Sequence, residues 1–451
     1  MRIHFISIGG SVMHNLAISL HKLGHNITGS DDEIYDPSRG ILEKEGLLPD
    51  PMGWSEDNIT EELDCVILGM HAKADNPELL KAIRLDITVY SYPAFIYKHS
   101  IDKKRIVVAG SHGKTTTTSM IMHILKEAGK DFDYLVGARL EGFSSNVKLT
   151  DAPLIVIEGD EYLSSAIDRR PKMLHYDPDL LIITGIEWDH INVFPTEENY
   201  IDQFNKLLDG VGEDTLIFYD EEDDILKQIV EQKQLSNAAA YSAVSLSGNK
   251  IKYGEKLYGL QIFGHHNMKN LSAAILICQN LGVADDTIYK AVSSFVSADK
   301  RLNLLYEDKN RAIYKDFAHA PSKVRATVSA VREKYPKRKL FCLLELHTYS
   351  SLNKGFIPLY KGALNDVDTG LLIYNTKTLE IKKMEALDKS FLINAFGKQD
   401  IEVMTDREQI EAWIITQLRK REDYVLLIMT SGHLGGIDLG AIIDNNMSIE
   451  G

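Results

Sequence analysis

A chain of 451 residues with 65 acidic against 50 basic side chains carries a formal charge of −15, which excludes charge-driven binding to nucleic acid or to an anionic membrane surface. The length predicts about three domains, each large enough to bury its own core. Cys65, Cys278 and Cys342 stand in apolar segments without metal-ligand spacing, so they read as buried free thiols in a reducing compartment. Residues 1–10 read as a first strand rather than a secretion signal, and no apolar run is long enough to span a bilayer. A cytoplasmic protein with no nucleic-acid and no membrane partner is expected.

The first hundred residues alternate short apolar runs with helical patterns. Residues 3–8 read as a strand, followed by Gly9-Gly10-Ser11 and a helix over 13–23. Residues 26–29 lead to a second strand edge at Ser30-Asp31-Asp32, and 65–68 and 87–90 read as further strands. This alternation predicts a small doubly wound parallel sheet. Gly9 and Gly10 suggest a dinucleotide fold, but Ser11 and His14 break the Gly-x-Gly-x-x-Gly spacing, which disfavours a nicotinamide oxidoreductase. Asp31 lies at the distance of a ribose contact, so a nucleotide-like ligand still fits. The basic stretch 102–105 reads as a linker into the next segment.

The central segment holds the most informative residues, Gly110-Ser111-His112-Gly113-Lys114-Thr115. An apolar run at 105–109 precedes them, and Met120, Ile121, Ile124 and Leu125 follow at helical spacing over 116–127. Strand, glycine turn and helix start together make a phosphate cradle, because glycines let backbone N–H groups close on an oxyanion at a helix N-terminus. Lys114 would add a point charge, and Thr115 a hydroxyl ligand for Mg²⁺. Val108 stands where the first glycine of the full eight-residue pattern would be.

Two further strands, 154–157 and 180–183, end in Glu158-Gly159-Asp160-Glu161 and in a stretch reaching Asp189-His190. Carboxyl ends of parallel strands share one rim, so these clusters are expected to converge with the phosphate loop. Glu158, directly after its strand, is the better metal ligand. His190 has two readings, a functional group or a core histidine satisfied by Asp189, since Mg²⁺ prefers oxygen. The helix over 266–279 carries Asn267 and Asn270 on one face, either as caps or as amides for a base edge. From 298 onward, strands are predicted at 339–344, 370–374 and 424–429, the last ending in a glycine-rich turn through Gly432 to Gly436. Near the start of this segment Arg301 could pair with phosphate and Asp316 could accept from ribose hydroxyls.

Taken together these segments resemble the Mur ligases, ATP-dependent amide-forming enzymes of bacterial cell-wall synthesis. The likeness rests on the run from Ala109 to Thr117, on Gly264-His265-His266-Asn267-Met268-Lys269-Asn270, and on Asp316-Phe317-Ala318-His319-Ala320-Pro321. It implies an α/β chain of three domains: a Rossmann-like UDP-sugar-binding domain over 1–102, a P-loop ATP-binding domain over 103–297, and a Rossmann-like amine-substrate domain over 298–451. ATP and Mg²⁺ are the implied cofactors. The implied ATP contacts are Gly110, Ser111, His112, Gly113, Lys114, Thr115, Thr116, Asn267, Asn270, Arg301 and Asp316, with Lys114, Glu158 and His190 catalytic and Thr115, Glu158 and His190 holding metal. Gly9, Gly10, Ser11, Met13, Ser30, Asp31 and His71 would bind the UDP-sugar. His319, His347, Tyr349, Gly432 and His433 would meet the amine.

Within the family, Glu158-Gly159-Asp160-Glu161-Tyr162, Asp168-Arg169-Arg170-Pro171-Lys172 and the glycine-rich end resemble members that join UDP-N-acetylmuramate to the recycled tripeptide L-Ala-γ-D-Glu-meso-diaminopimelate. The alternative is the members that add L-alanine, which carry a motif like His347-Thr348-Tyr349. Leu163 and Ala320 depart from both patterns. A reading from another class is a P-loop ATPase or nucleotide-gated binding protein that makes no bond. A monomer or weak homodimer is expected.

Overall fold

The computed structural model describes residues 1–296 and 302–447. The first sheet has the order Asn26–Ser30, Arg2–Ile6, Cys65–Leu68, Val89–Ser91, all parallel. A seven-stranded sheet follows, in which Lys104–Ala109 lies between Leu180–Ile183 and Leu154–Glu158. The third large sheet has six strands, with Tyr424–Met429 between Arg311–Asp316 and Lys339–Leu346. Parallel strands covered on both faces need unbroken apolar runs rather than alternation. Ile106 to Ala109 and Leu340 to Leu344 are such runs, and all are buried.

The described residues form two compact units. The first comprises 1–186, 197–260 and 269–295 and holds the first two sheets. The second comprises 187–196, 261–268 and the residues from 296 onward, and holds the six-stranded sheet. In the second unit successive residues of the strands face opposite cores. Leu340, Cys342 and Leu344 pack on one side with Val324, Val328 and Phe356, while Phe341 and Leu343 pack on the other with Trp413 and Ile414.

The mixed α/β class with parallel sheets is as expected, and several boundaries move. The first strand stops at Ile6, because Ser7 takes a φ of +67° and both Ser7 and Ile8 donate to the Ser30 carbonyl. Lys104 and Arg105 belong to a strand rather than a linker, paired with Leu154 and Ile155. The helix after the phosphate loop begins at Lys114, two residues earlier than its apolar spacing indicates. A small antiparallel sheet over 246–259 and the strand Asn303–Glu307 are additions, since short, half-exposed strands leave little periodicity to read.

Candidate active site

In the first unit the loop after Lys104–Ala109 turns on Gly110, at φ +124°, and on Gly113, at φ +80°. Residues with a Cβ rarely adopt such angles. A Cβ on Gly110 would also stand 2.8 Å from the Thr184 backbone nitrogen, so the loop presses on the end of the neighbouring strand. Two contacts fix that approach. Ser111 N–H donates to the Gly185 carbonyl at 2.9 Å, and the Thr184 hydroxyl lies within reach of the Ala109 and His112 carbonyls.

Lys114, at the first position of the helix, folds back so that Nζ donates to the Gly110 carbonyl and pairs with Glu161 Oε2 at 2.5 Å. Burial opposes the lysine's charge, but Glu161, Asp160 and Glu158 outweigh it and hold the ammonium above its usual range. The Tyr200 hydroxyl sits 2.7 Å from Ser111 Oγ and 3.3 Å from Glu161 Oε1. Beside them Thr115 donates to Glu158 Oε1 at 2.9 Å, and Gly137 N–H donates to Oε2 at 2.8 Å. Burial raises the Glu158 carboxyl despite these donors and Lys114. Lys172 pairs with Asp160 at 2.5 Å, its ammonium between the rings of Tyr92 and Tyr162. Asn270 packs against Gly113, and Thr116 is buried in the first turn of the helix.

This arrangement fits an Mg-nucleotide. Mg²⁺ is held by one or two carboxylates together with substrate phosphates, and a desolvated carboxylate next to a threonine hydroxyl is a suitable donor pair. Among the described residues no group of three or more His, Cys, Asp and Glu gathers as a cage, so phosphate oxygens would complete the shell.

At the rim of the first sheet, Gly9 N–H donates to Asp31 Oδ2 at 2.7 Å. Burial pushes the Asp31 carboxyl up to about 6, against the pull of that N–H and with the help of Asp32. Ser30 is buried on Glu78, which also meets His4 at 3.3 Å. Gly10 caps the helix Ser11–Lys22, in which Met13 is buried and Ser11 Oγ accepts from Asn146 at 3.2 Å. His71 is exposed after Cys65–Leu68.

The second unit gathers other expected residues. Asp189 is buried and accepts from Ser350 Oγ at 3.2 Å. Burial disfavours its charge, but Lys323, His190 and His319 prevail and hold the carboxyl down to about 2. His190 itself has a φ of +55°, an angle uncommon outside glycine and worth noting at a site. Its carbonyl accepts from Val193 and Phe194. Asn267 donates to the Phe263 carbonyl at 2.8 Å. The Asp316 carboxylate already serves Leu302 N–H, Ala318 N–H and Thr327, which ties down its own loop. His319 Nδ1–H donates to the Phe317 carbonyl at 2.9 Å. His347 lies against Gly432, Tyr349 carries Lys382 over its ring at 4.4 Å, and His433 faces His347. Arg301 lies outside the described residues.

The residues brought together form three groups: Lys114, Thr115, Glu158 and Asn270 in the first unit, and in the second Asp189, His190 and His319 and His347, Gly432 and His433. Sequence reasoning missed Tyr200, Thr184, Lys323 and Glu345. None carries a motif, and Tyr200 reaches the loop from 89 positions away.

Comparison with known proteins gives a consistent picture. The descriptions "Mur ligase family, catalytic domain" and "Mur ligase middle domain" match residues 2–104 and 108–278. The UDP-N-acetylmuramate–L-alanyl-γ-D-glutamyl-meso-2,6-diaminoheptandioate ligase of Escherichia coli strain K12 is 33% identical, covering 74% of this chain and 76% of its own. The UDP-N-acetylmuramate–L-alanine ligase of Anaeromyxobacter dehalogenans strain 2CP-C is 29% identical, covering 91% of each. The solved UDP-N-acetylmuramate-alanine ligase of Thermotoga maritima covers 99% of both chains, with a TM-score of 0.69 and 21% identity, and shares the fold.

Proposed function

The chain belongs to the Mur ligase family, ATP-dependent ligases that form amide bonds in peptidoglycan synthesis, and from that premise we propose that it joins UDP-N-acetylmuramate to the tripeptide L-alanyl-γ-D-glutamyl-meso-diaminopimelate. The reaction class rests chiefly on one observation, the Thr115–Glu158 hydrogen bond beside the buried ammonium of Lys114. The substrate reading is supported by the Escherichia coli relative and by the segments 158–162 and 168–172. The proposed division is UDP-sugar binding over 1–102, ATP binding over 103–297 and amine binding over 298–451. The three buried free cysteines suit a reducing cytoplasm, and among the described residues no helix is long and apolar enough to cross a membrane.

A carboxylate and a nucleoside triphosphate repel each other, so their reaction needs cations and positioning. In the proposed sequence a carboxylate oxygen of UDP-N-acetylmuramate attacks the γ-phosphorus and ADP leaves. The amine of the tripeptide then attacks the acyl phosphate, loses a proton and expels phosphate. Lys114 would leave Glu161 to meet the phosphates, and the loop amides from Gly110 to Thr115 would hold them. Mg²⁺, where bound, would neutralise phosphate charge, with Thr115 and Glu158 as its protein ligands, and His190 would help to hold a second Mg²⁺. Asn267 and Asn270 would read the base, and Gly9, Gly10, Ser11, Ser30 and Asp31 the uridine diphosphate.

A second reading, L-alanine as the amine, is favoured by His347-Thr348-Tyr349 and by the Anaeromyxobacter relative. Phosphate release with UDP-N-acetylmuramate, measured separately with tripeptide and with L-alanine, separates the two. Tripeptide is expected to give the higher kcat/KM. Alanine preferred by tenfold or more, about 1.4 kcal/mol of transition-state binding, reverses the assignment. In the same assay Glu158→Ala is expected to raise the Mg²⁺ requirement and His190→Ala to lower turnover; wild-type behaviour of both would remove them from the metal site.

A further inference from the structure

Glu345 is the next-to-last residue of the strand Lys339–Leu346 and is 4% exposed. Its two oxygens differ. Oε2 accepts from the Thr430 hydroxyl and, at 3.3 Å, from Leu434 N–H. No described residue donates to Oε1. Oε1 is not sealed from solvent, so a largely buried side chain presents one accessible acceptor. The carboxylate stands at the carboxyl end of a parallel strand, beside the glycine turn that follows Tyr424–Met429. A Cβ on Gly432 would lie 2.8 Å from Glu345 Oε2 and 2.9 Å from the His347 ring, so glycine alone keeps this corner clear.

One lysine and two histidines border the same corner. Lys382 Nζ donates to the His347 carbonyl at 2.9 Å and rides over Tyr349, while Glu345, Lys382 and His433 all act on the His347 ring. A held carboxylate with one accessible oxygen, next to lysine and histidine, matches the ammonium and carboxylate of an amino-acid end. Among the described residues no three ligating side chains form a metal cage that would compete for the oxygen. The ammonium in question must be a spectator, because a nucleophilic amine has to shed its proton and a buried carboxylate partner favours keeping it.

We propose that Glu345 receives the non-reacting ammonium at the diaminopimelyl end of the tripeptide, with Lys382 and His433 toward the carboxylate of that end. This rests on the tripeptide reading above. It makes Glu345 a specificity determinant that L-alanine, whose only amine is the attacking one, does not use.

The test combines substrate and protein variants in the phosphate-release assay, with UDP-N-acetylmuramate and ATP saturating. In the wild type, a tripeptide analogue lacking only the terminal amino group should raise KM by about tenfold or more, the order expected for losing a hydrogen bond to a charged group. Glu345→Gln, which keeps an acceptor for Thr430 and Leu434, should raise KM for the tripeptide by a similar factor with kcat nearly unchanged. It should then show no further loss with the analogue. The dipeptide L-Ala-γ-D-Glu should react alike with both proteins. A wild type indifferent to the missing amino group overturns the proposal whatever the variant does, as does a Glu345→Gln that loses tripeptide and dipeptide equally. Wild-type turnover with L-alanine and none with tripeptide overturns the tripeptide reading itself and this proposal with it. Tripeptide turnover with indifferent analogues overturns the Glu345 assignment alone.

Discussion

Two glycine turns at strand ends, one in each unit, handle the same problem in opposite ways. At the Gly110–Gly113 loop every nearby charge already has a resident partner: Lys114 lies on Glu161, Glu158 on Thr115, and Lys172 on Asp160. At the Gly432 turn the buried Glu345 keeps one oxygen without a donor. The first turn must exchange partners when an anion arrives, and the second has a place left open for a cation. Resident ion pairs keep buried charges from standing alone, which lets the phosphate loop hold its lysine in place before substrate binds. Both turns use positive φ angles, at Gly110 and Gly113 in the first and at Gly435 and Gly436 in the second, so the difference between them lies in the charges rather than in the backbone.

The strongest way to break this contrast is at Lys114. Lys114→Ala removes the charge meant for phosphate and no core packing, so turnover should fall about a thousandfold or more, roughly 4 kcal/mol of transition-state stabilisation. The unfolding temperature should also fall, because the buried Glu161 loses its Lys114 cation, so turnover is compared at a temperature where both proteins are folded. Near-wild-type turnover would remove the phosphate role from this loop.

The glycines sharpen the comparison further. Gly110→Ala adds a Cβ against backbone at φ +124°, where nothing flexible can yield, and should cost on the order of 3 kcal/mol of stability. Gly432→Ala meets the side chains of Glu345 and His347 at 2.8 to 2.9 Å, which must shift. That protein should lose less stability than Gly110→Ala, with a raised KM for the amine and an unchanged KM for ATP. Denaturant unfolding and the two KM values check both halves, and a matching loss of stability in the two variants would erase the distinction.

Legibility in the sequence follows the same divide. Gly110-Ser111-His112-Gly113-Lys114-Thr115 could be read directly, because a phosphate loop is continuous in the chain and every residue has a positional reason. The apolar runs that became Lys104–Ala109, Leu154–Glu158, Leu180–Ile183 and Tyr424–Met429 were equally plain, since parallel strands buried on both faces need unbroken hydrophobicity. Asp316 reads as a ribose acceptor, and in the fold its oxygens also serve Leu302, Ala318 and Thr327. Identity alone does not reveal whether a carboxylate is already engaged. Glu345 and Tyr200 sit inside an apolar strand and an ordinary amphipathic helix, and their partners are 85 and 89 positions distant. Such contacts exist only after the chain has folded.

A smaller effect is expected at Asp31. Its carboxyl is raised from 3.8 in the unfolded chain to about 6 in the fold. The folded state therefore binds this proton more tightly, and wild-type stability should decline as pH rises through the interval between those values, levelling off above about 6. Asp31→Asn, which keeps an acceptor for Gly9 N–H, removes that decline. At pH 7.5 it should be the more stable protein by on the order of 2 kcal/mol, while binding UDP-N-acetylmuramate more weakly. Paired pH–stability curves that run parallel would show that Asp31 pays no such desolvation cost and would separate it from the ligand-awaiting carboxylates.

Tyr200 gives the finest probe of the partner-exchange idea. Its hydroxyl touches both Ser111 of the loop and Glu161, the resting partner of Lys114, and the ring is fully buried against Phe204. Tyr200→Phe keeps the ring and removes the hydroxyl contacts to Ser111 and Glu161, so the expected cost is that of a hydrogen bond, about 1 kcal/mol. If Tyr200 steadies Glu161 while Lys114 moves to phosphate, the loss should appear as a rise of about fivefold in KM for ATP, with the KM for the amine unchanged. Under a purely structural role the unfolding midpoint would drop and both KM values would stay put. That outcome would leave the phosphate loop with a lysine whose release does not depend on the α-helical residue behind it, and the contrast between an exchanging turn and an open one would then rest on Glu161 alone.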